Sequence, residues 1–252
     1  MIARETQKEF VMTSQHDHAI LSGEMAKQFR PELFIDTAYR DDVLLAITQH
    51  DRGWLGLDEN PIWDDRSHVP FSFSEYPLFP KLPAYIRGID EVEEMSPYAA
   101  LVCSLHYCSF TQIRESSHPE CAAYIQHELS RQAKLRAQLP PLNEEVVHRH
   151  FQLLQFCDGL SLYVCMVDSR PEQNVNQTWF KKGTNSPVGR DTYKAKWINE
   201  REILIDLFPF EESAQFALDT RYVSKASREE LGVDQAYWQT PESRIEFTFV
   251  KS

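Results

Sequence analysis

Basic residues are scarce in this chain: 26 Lys and Arg stand against 38 Asp and Glu, giving a formal net charge of -12 and a pI near 5.2. Sequence-independent binding of nucleic acid rests on clustered Lys and Arg that neutralise phosphates, so extended nucleic acid is not an expected partner. Long apolar runs are missing too. No stretch approaches the roughly 18 to 20 uninterrupted apolar residues that a membrane-spanning helix needs. The opening Met1-Ile2-Ala3-Arg4-Glu5 lacks the apolar core of a signal peptide. The expectation is a cytoplasmic protein without a membrane partner. Cysteine is sparse and scattered: Cys103, Cys108, Cys121, Cys157 and Cys165 form neither a paired framework nor a CxxC zinc motif, and read as small buried hydrophobes. Internal repeats and low-complexity tracts are also absent.

What is present suffices for a real core: 252 residues, 42% of them hydrophobic, fit one large domain or one domain with an appendage. Residues 9 to 12 read as a short strand. Ser14-Gln15-His16-Asp17 then has the Ser-to-acid spacing of a capping box, so a helix starts there. His18, Leu21, Met25 and Phe29 continue one face of it until Pro31 stops the run. A second helix opens at Asp41-Asp42, where carboxylates suit a helix N-terminus, and carries Val43, Leu44, Ile47, His50 and Asp51 on its buried side. Gly53 then lets the chain turn away. Residues 58 to 95, rich in Pro and aromatics, read as an ordered insertion packed over the helices.

Ser96 as cap and Pro97 at the first helical position mark a third helix, with Ala99, Val102, Cys103, His106 and Phe110 on one face. Residues 118 to 138 read as a more polar helix. A further helix, from about 143 to 167, places Val147, Leu154, Asp158, Ser161, Leu162 and Cys165 on one stripe. The composition from 169 to 195 is that of a polar loop. The runs 203 to 208, 216 to 223 and 244 to 250 are β-rich, the last alternating Ile245, Phe247 and Phe249 with polar residues. The expected architecture is mainly α. A helical body covers residues 1–168, and 196–252 form a small antiparallel β appendage, joined by the N-terminal strand.

Neither His nor Asp belongs on an inward helical face unless something satisfies it. His18, the adjacent pair His50-Asp51, and Asp158 put two imidazoles and two carboxylates on three such faces. That donor set suits a divalent transition metal, Zn, Fe, Mn, Co or Ni, without choosing among them. The four should converge at the usual ligand distances of about 2 to 2.5 Å from one ion. His16 lies two residues from His18, roughly 200° around the helix, so only one of them can face the site, and the stripe favours His18. His106 shares the inward stripe and reads either as a ligand of a second ion or as a satisfied core histidine. His150 is about 12 Å of helical rise from Asp158, too far to share an ion with it.

In order and spacing, His18, His50-Asp51 and Asp158 resemble the HD superfamily of metal-dependent phosphohydrolases. Its motif is a His on one helix, a His-Asp on the next and a distant Asp on a later one. More closely, the Gln-His-Asp-His-Ala opening, the His-Asp-x-Gly-Trp element, the Pro-Tyr-Ala-Ala-Leu helix and the Asp-x-Leu-Ser-Leu helix are similar to an uncharacterised bacterial HD-like group. The resemblance implies an HD-type helical bundle that hydrolyses a small phosphorylated substrate, with metal-activated water as nucleophile and Asp51 as the catalytic residue assisting it. A homodimer is compatible with it. It also implies two alternatives: a di-iron oxygenase, which needs His106 as a ligand, and a catalytically silent HD-like module that binds a ligand or partner. Trp54 stands where many superfamily members have Lys. Arg52, Lys181, Lys182 and Arg190 are the cations considered for phosphate, with solvent exposure as their plainer reading.

Overall fold

The computed structural model describes residues 1–170, 184–185 and 192–251. The chain opens with strands β1 (Ile2–Glu5) and β2 (Glu9–Thr13), followed by helix α1 (Gln15–Lys27). Ser14 caps α1 as its sequence predicts: its hydroxyl oxygen accepts from the Asp17 N–H at 2.9 Å, and the hydroxyl donates to the Asp17 carboxylate at 2.6 Å. Helix α2 (Arg40–Gln49) carries Asp41 and Asp42 in its first turn. It is shorter than expected, with His50 as its C-cap and Asp51 just beyond it. A short α3 (Leu55–Asp58) and a two-residue hairpin, β3 (Trp63–Asp64) with β4 (Val69–Pro70), follow.

The segment 58 to 95, expected as an ordered insertion, is in large part helical. Its second half is an 18-residue helix, α4 (Leu78–Met95). Pro80 lies in its first turn, where N–H groups have no intrahelical partner to lose, and Pro83 lies inside it. Helix α5 (Pro97–Cys108) has the expected Ser96 cap, whose oxygen accepts from the Ala99 N–H. Then come α6 (Thr111–Arg114), α7 (Pro119–Gln138) and α8 (Glu144–Met166). Most of the polar 169 to 195 segment, including Lys181, Lys182 and Arg190, lies outside the described residues; its described part includes β5 (Thr184–Asn185) and β6 (Thr192–Tyr193). Strands β7 (Ala195–Trp197), β8 (Glu202–Ile205) and β9 (Ala214–Ser224), helices α9 (Lys225–Leu231) and α10 (Val233–Gln239), and strand β10 (Glu242–Lys251) complete the chain.

The expectation of a mainly α bundle with a small antiparallel appendage is overturned. The protein is a mixed α/β fold whose six-stranded sheet, in the order β1-β2-β9-β10-β8-β7, curls into a half-barrel. The sheet is not purely antiparallel either, because β10 pairs in parallel with β8. Inward positions of β9 and β10 alternate as a half-buried sheet requires. Phe216, Leu218, Phe247 and Phe249 are buried in the same core as Met25, Phe29, Val102 and Phe156 of the helical part. Phe29 packs on Phe156 and Phe210, and Phe210 on Phe216 and Phe249, so a chain of rings runs from helix to sheet without a break. A second, smaller cluster forms where Val233, Ala236 and Tyr237 of α10 meet Phe10, Met12 and Val223. Among the described residues, no helix is long and apolar enough to cross a membrane.

Two close approaches place the helices that matter. A Cβ on Gly23 of α1 would lie 2.1 Å from the Thr48 hydroxyl of α2. A Cβ on Gly88 of α4 would lie 2.3 Å from the backbone nitrogen of Gly53, and one on Gly53 would lie 2.7 Å from the Ala84 carbonyl oxygen. The turn that follows His50-Asp51 therefore sits directly on the backbone of α4.

Candidate metal centre

His18 comes from near the start of α1, His50 and Asp51 from just past the end of α2, His106 from α5 and Asp158 from α8. All five side chains converge. His18 Nε2 lies 3.2 Å from His50 Nε2, 3.1 Å from Asp158 Oδ1 and 3.7 Å from Asp51 Oδ2. His50 Nε2 lies 3.6 Å from Asp158 Oδ1 and 3.7 Å from Asp51 Oδ2. His106 Nε2 approaches the other oxygen, Asp158 Oδ2, at 3.7 Å. The donors form two overlapping triads, His18-His50-Asp51 and His50-His106-Asp158. Ligands each about 2 Å from a shared ion stand up to roughly 4 Å apart, so these separations fit one ion, with His106 on the side where a second would be held.

The hydrogen bonds behind the imidazoles decide what their front nitrogens offer. His50 Nδ1 meets the Ile47 carbonyl at 2.7 Å. A carbonyl only accepts, so Nδ1 carries the proton, and in neutral His50 the lone pair is on Nε2. His18 Nδ1 meets the Ser161 hydroxyl at 2.7 Å. Ser161 has the Asp158 carbonyl to donate to at 3.1 Å, and Ser22, beside it at 2.6 Å, has the His18 carbonyl at 3.0 Å. Ser161 is thereby free to accept from His18, which turns a second Nε2 lone pair toward the first. Two facing lone pairs and two carboxylates, nearly all of it buried, repel one another unless a cation lies among them. The residues present fit a divalent transition metal, and the partners behind His18 and His50 are of the kind that orient ligating histidines.

Protonation equilibria register the same deficit of positive charge. Burial opposes the charging of His50, but Asp51 and Asp158 outweigh it and raise its pKa to about 9. Asp158 is disfavoured as an anion by burial, yet the His18 and His50 imidazoles beside it, when they carry a proton at Nε2, hold it far below the usual carboxylate range. Burial raises Asp51, which makes it the more basic of the two carboxyls. The Tyr107 hydroxyl donates to Asp51 Oδ1 at 3.4 Å, leaving Oδ2 toward the histidines. His106 differs: burial pushes it down to about 3, and its Nδ1 has no hydrogen-bond partner among the described residues.

The centre opens through Asp51, His106 and Asp158 onto a cavity of about 410 Å³ walled by Trp54, Phe73, Tyr85 and Phe110. Trp54 is buried against Tyr76 and Tyr85, with the Lys81 ammonium 5.8 Å from its ring centre. Arg52 does not line this cavity; it is tied to Glu91 at 2.5 Å and Gln49 at 3.0 Å. His16 joins neither donor triad, and His150 is engaged by the Tyr98 hydroxyl at 2.7 Å. Sequence reasoning missed Gln15, which lines the cavity, although it stands three residues before His18 and so on the same helical face. It also missed Ser22, whose signal is the same, since it lies four residues after His18.

A family model described as "Protein of unknown function (DUF3891)" matches residues 1–225, and the chain belongs to that family. No curated protein matches the chain, and no solved structure does. The family match contains nothing that links the chain to the HD superfamily.

Proposed function

We propose that this member of the DUF3891 family is an HD-type metal-dependent hydrolase acting on a small phosphoester. The observation that supports this most directly is the meeting of the His18 and His50 Nε2 atoms at 3.2 Å with Asp158 and Asp51 oxygens around them. A bound divalent transition ion supplies Lewis acidity there, acidifying water and polarising a phosphoryl oxygen. His18, His50, Asp51 and Asp158 would hold it. Asp51 is the residue for the proton: Tyr107 anchors its Oδ1 and leaves Oδ2 toward the histidines, so Oδ2 would be placed to take a proton from an attacking water. The aromatic wall keeps bulk water away from the reacting groups.

Elemental analysis of the purified chain beside His50→Ala and Asp158→Asn tests the metal. At least one ion per chain is expected in the native protein, with loss of most of it in both variants. A chain that takes up no Zn, Mn, Fe, Co or Ni ends the reading. A panel of phosphomonoesters and phosphodiesters with each ion then tests the chemistry, and inactivity of metal-loaded protein on all of them ends the phosphoester assignment. The second triad through His106 favours one competing reading, a di-iron oxygenase. Two irons per chain that fall to one in His106→Ala would support it.

A further inference from the structure

Gln15 is the first residue of α1, one helical turn ahead of His18. Its side chain is buried, at 3% exposure, and it lines the cavity beside Asp51 and Asp158. Its Oε1 has no hydrogen-bond partner among the described residues. A buried amide oxygen left unpaired is unfavourable and calls for an explanation. Helix initiation does not supply one, because it is the backbone N–H of Gln15 that donates to Asp58 Oδ2, at 2.6 Å. The same cavity is walled by Trp54, Phe73, Tyr85 and Phe110, flat faces that suit a planar ring.

We propose that Gln15 determines specificity: its amide accepts a hydrogen bond from a hydroxyl or N–H donor on a planar ring of the substrate, seated against the aromatic wall next to the metal centre. The substrate class is thus an ester whose ring carries a donor close to the reacting bond. The inference rests on reading this cavity as the substrate site of the proposed hydrolase. A pocket built to pair with a donor discriminates against the analogue that lacks it, because its own acceptor is then stranded.

The test uses two ring-matched probes, phenol and fluorobenzene, titrated by NMR into the full chain and into Gln15→Met, which keeps the side-chain length and removes the amide. Phenol is expected to bind the native chain about tenfold more tightly, and Gln15→Met to bring the two probes within about threefold, in line with one buried hydrogen bond. In the native chain the side-chain amide signals of Gln15 should shift with phenol and not with fluorobenzene, a readout that decides the matter even if the variant does not fold. Equal affinities in the native chain, a phenol preference that survives in Gln15→Met, or no perturbation of the cavity by either ring overturns the proposal. The hydrolase reading fails on different grounds, absent metal or absent turnover, so the two failures are distinguishable.

Discussion

Two of the buried charged clusters among the described residues are built in opposite ways. Between α4, α5 and α7, Arg131 donates to both oxygens of the fully buried Glu128, to Glu93 at 2.9 Å and to Asp90 at 2.5 Å. Ser104 donates to Glu128 at 2.7 Å, and Gln132 donates to Ser104. Permanent positive charge and donors reach the buried carboxylate from several sides, and the cluster is closed. Around Asp51 and Asp158 no Lys or Arg of the described residues is hydrogen-bonded to either carboxylate, and three imidazoles stand in their place. Both clusters bear a desolvation penalty. Only the first draws permanent positive charge from the chain itself, from Arg131 and Lys134; the second is the one whose donors fit the proposed metal.

The sharpest way to break the comparison is Arg131→Met. If the closed cluster is purely structural, leaving Glu128 buried without its guanidinium partner should cost about 3 to 5 kcal/mol in a urea titration, with metal content per folded chain unchanged. Loss of metal in that variant would mean the two clusters are coupled. Acidity offers a second test, because the clusters should fail at opposite ends of the pH scale. His50 has a pKa raised from 6.5 to about 9, so its contribution is full below the unfolded value and disappears as pH rises through the folded one. Metal-free protein should lose stability on the order of 3 kcal/mol between those limits, and saturating metal should abolish the loss. Burial disfavours the Glu93 anion, but Lys134 and Arg131 outweigh that and lower its pKa from 4.5. Its contribution is therefore present above that value and lost as pH falls. Denaturation at several pH values, with chelator and with Zn, checks both signs; a metal-free protein equally stable at pH 6.5 and 9 would refute the first.

The smallest effect is expected behind the ligands. Ser161→Ala removes the acceptor for His18 Nδ1 and should weaken metal binding about 10- to 100-fold with little change in fold stability. A competition titration against a chelating dye measures it. Unchanged affinity would show that His18 is oriented by packing alone.

The candidate site was more legible in the sequence than the fold. His18, His50, Asp51, His106 and Asp158 announced themselves as polar residues on apolar stripes with clear caps at Ser14 and Ser96, and such signals are local. Pairing of β8 with β10 is not local. It depends on a parallel register between residues 202–205 and 248–251, which alternation within each strand does not encode. Helix α4 was hidden for another reason: Pro83, inside it, opposes a helix locally, and the contact of Gly88 with Gly53, invisible to periodicity, favours one. The end of α2 was misjudged by two residues because His50 caps the helix, its ring meeting the Ile47 carbonyl, a role that an inward stripe does not distinguish from membership.

At the junction of Gly53 with Gly88, main chain meets main chain with no side chain between them. Side chains give way by changing rotamer, whereas peptide planes do not. Any displacement of α4 is therefore passed undamped to the turn that carries Asp51 and Trp54, and Tyr85, on the same helix, moves with it. The distance from Trp54 and Tyr85 to the Asp51 carboxylate is thus set by the skeleton of the protein rather than by side-chain packing.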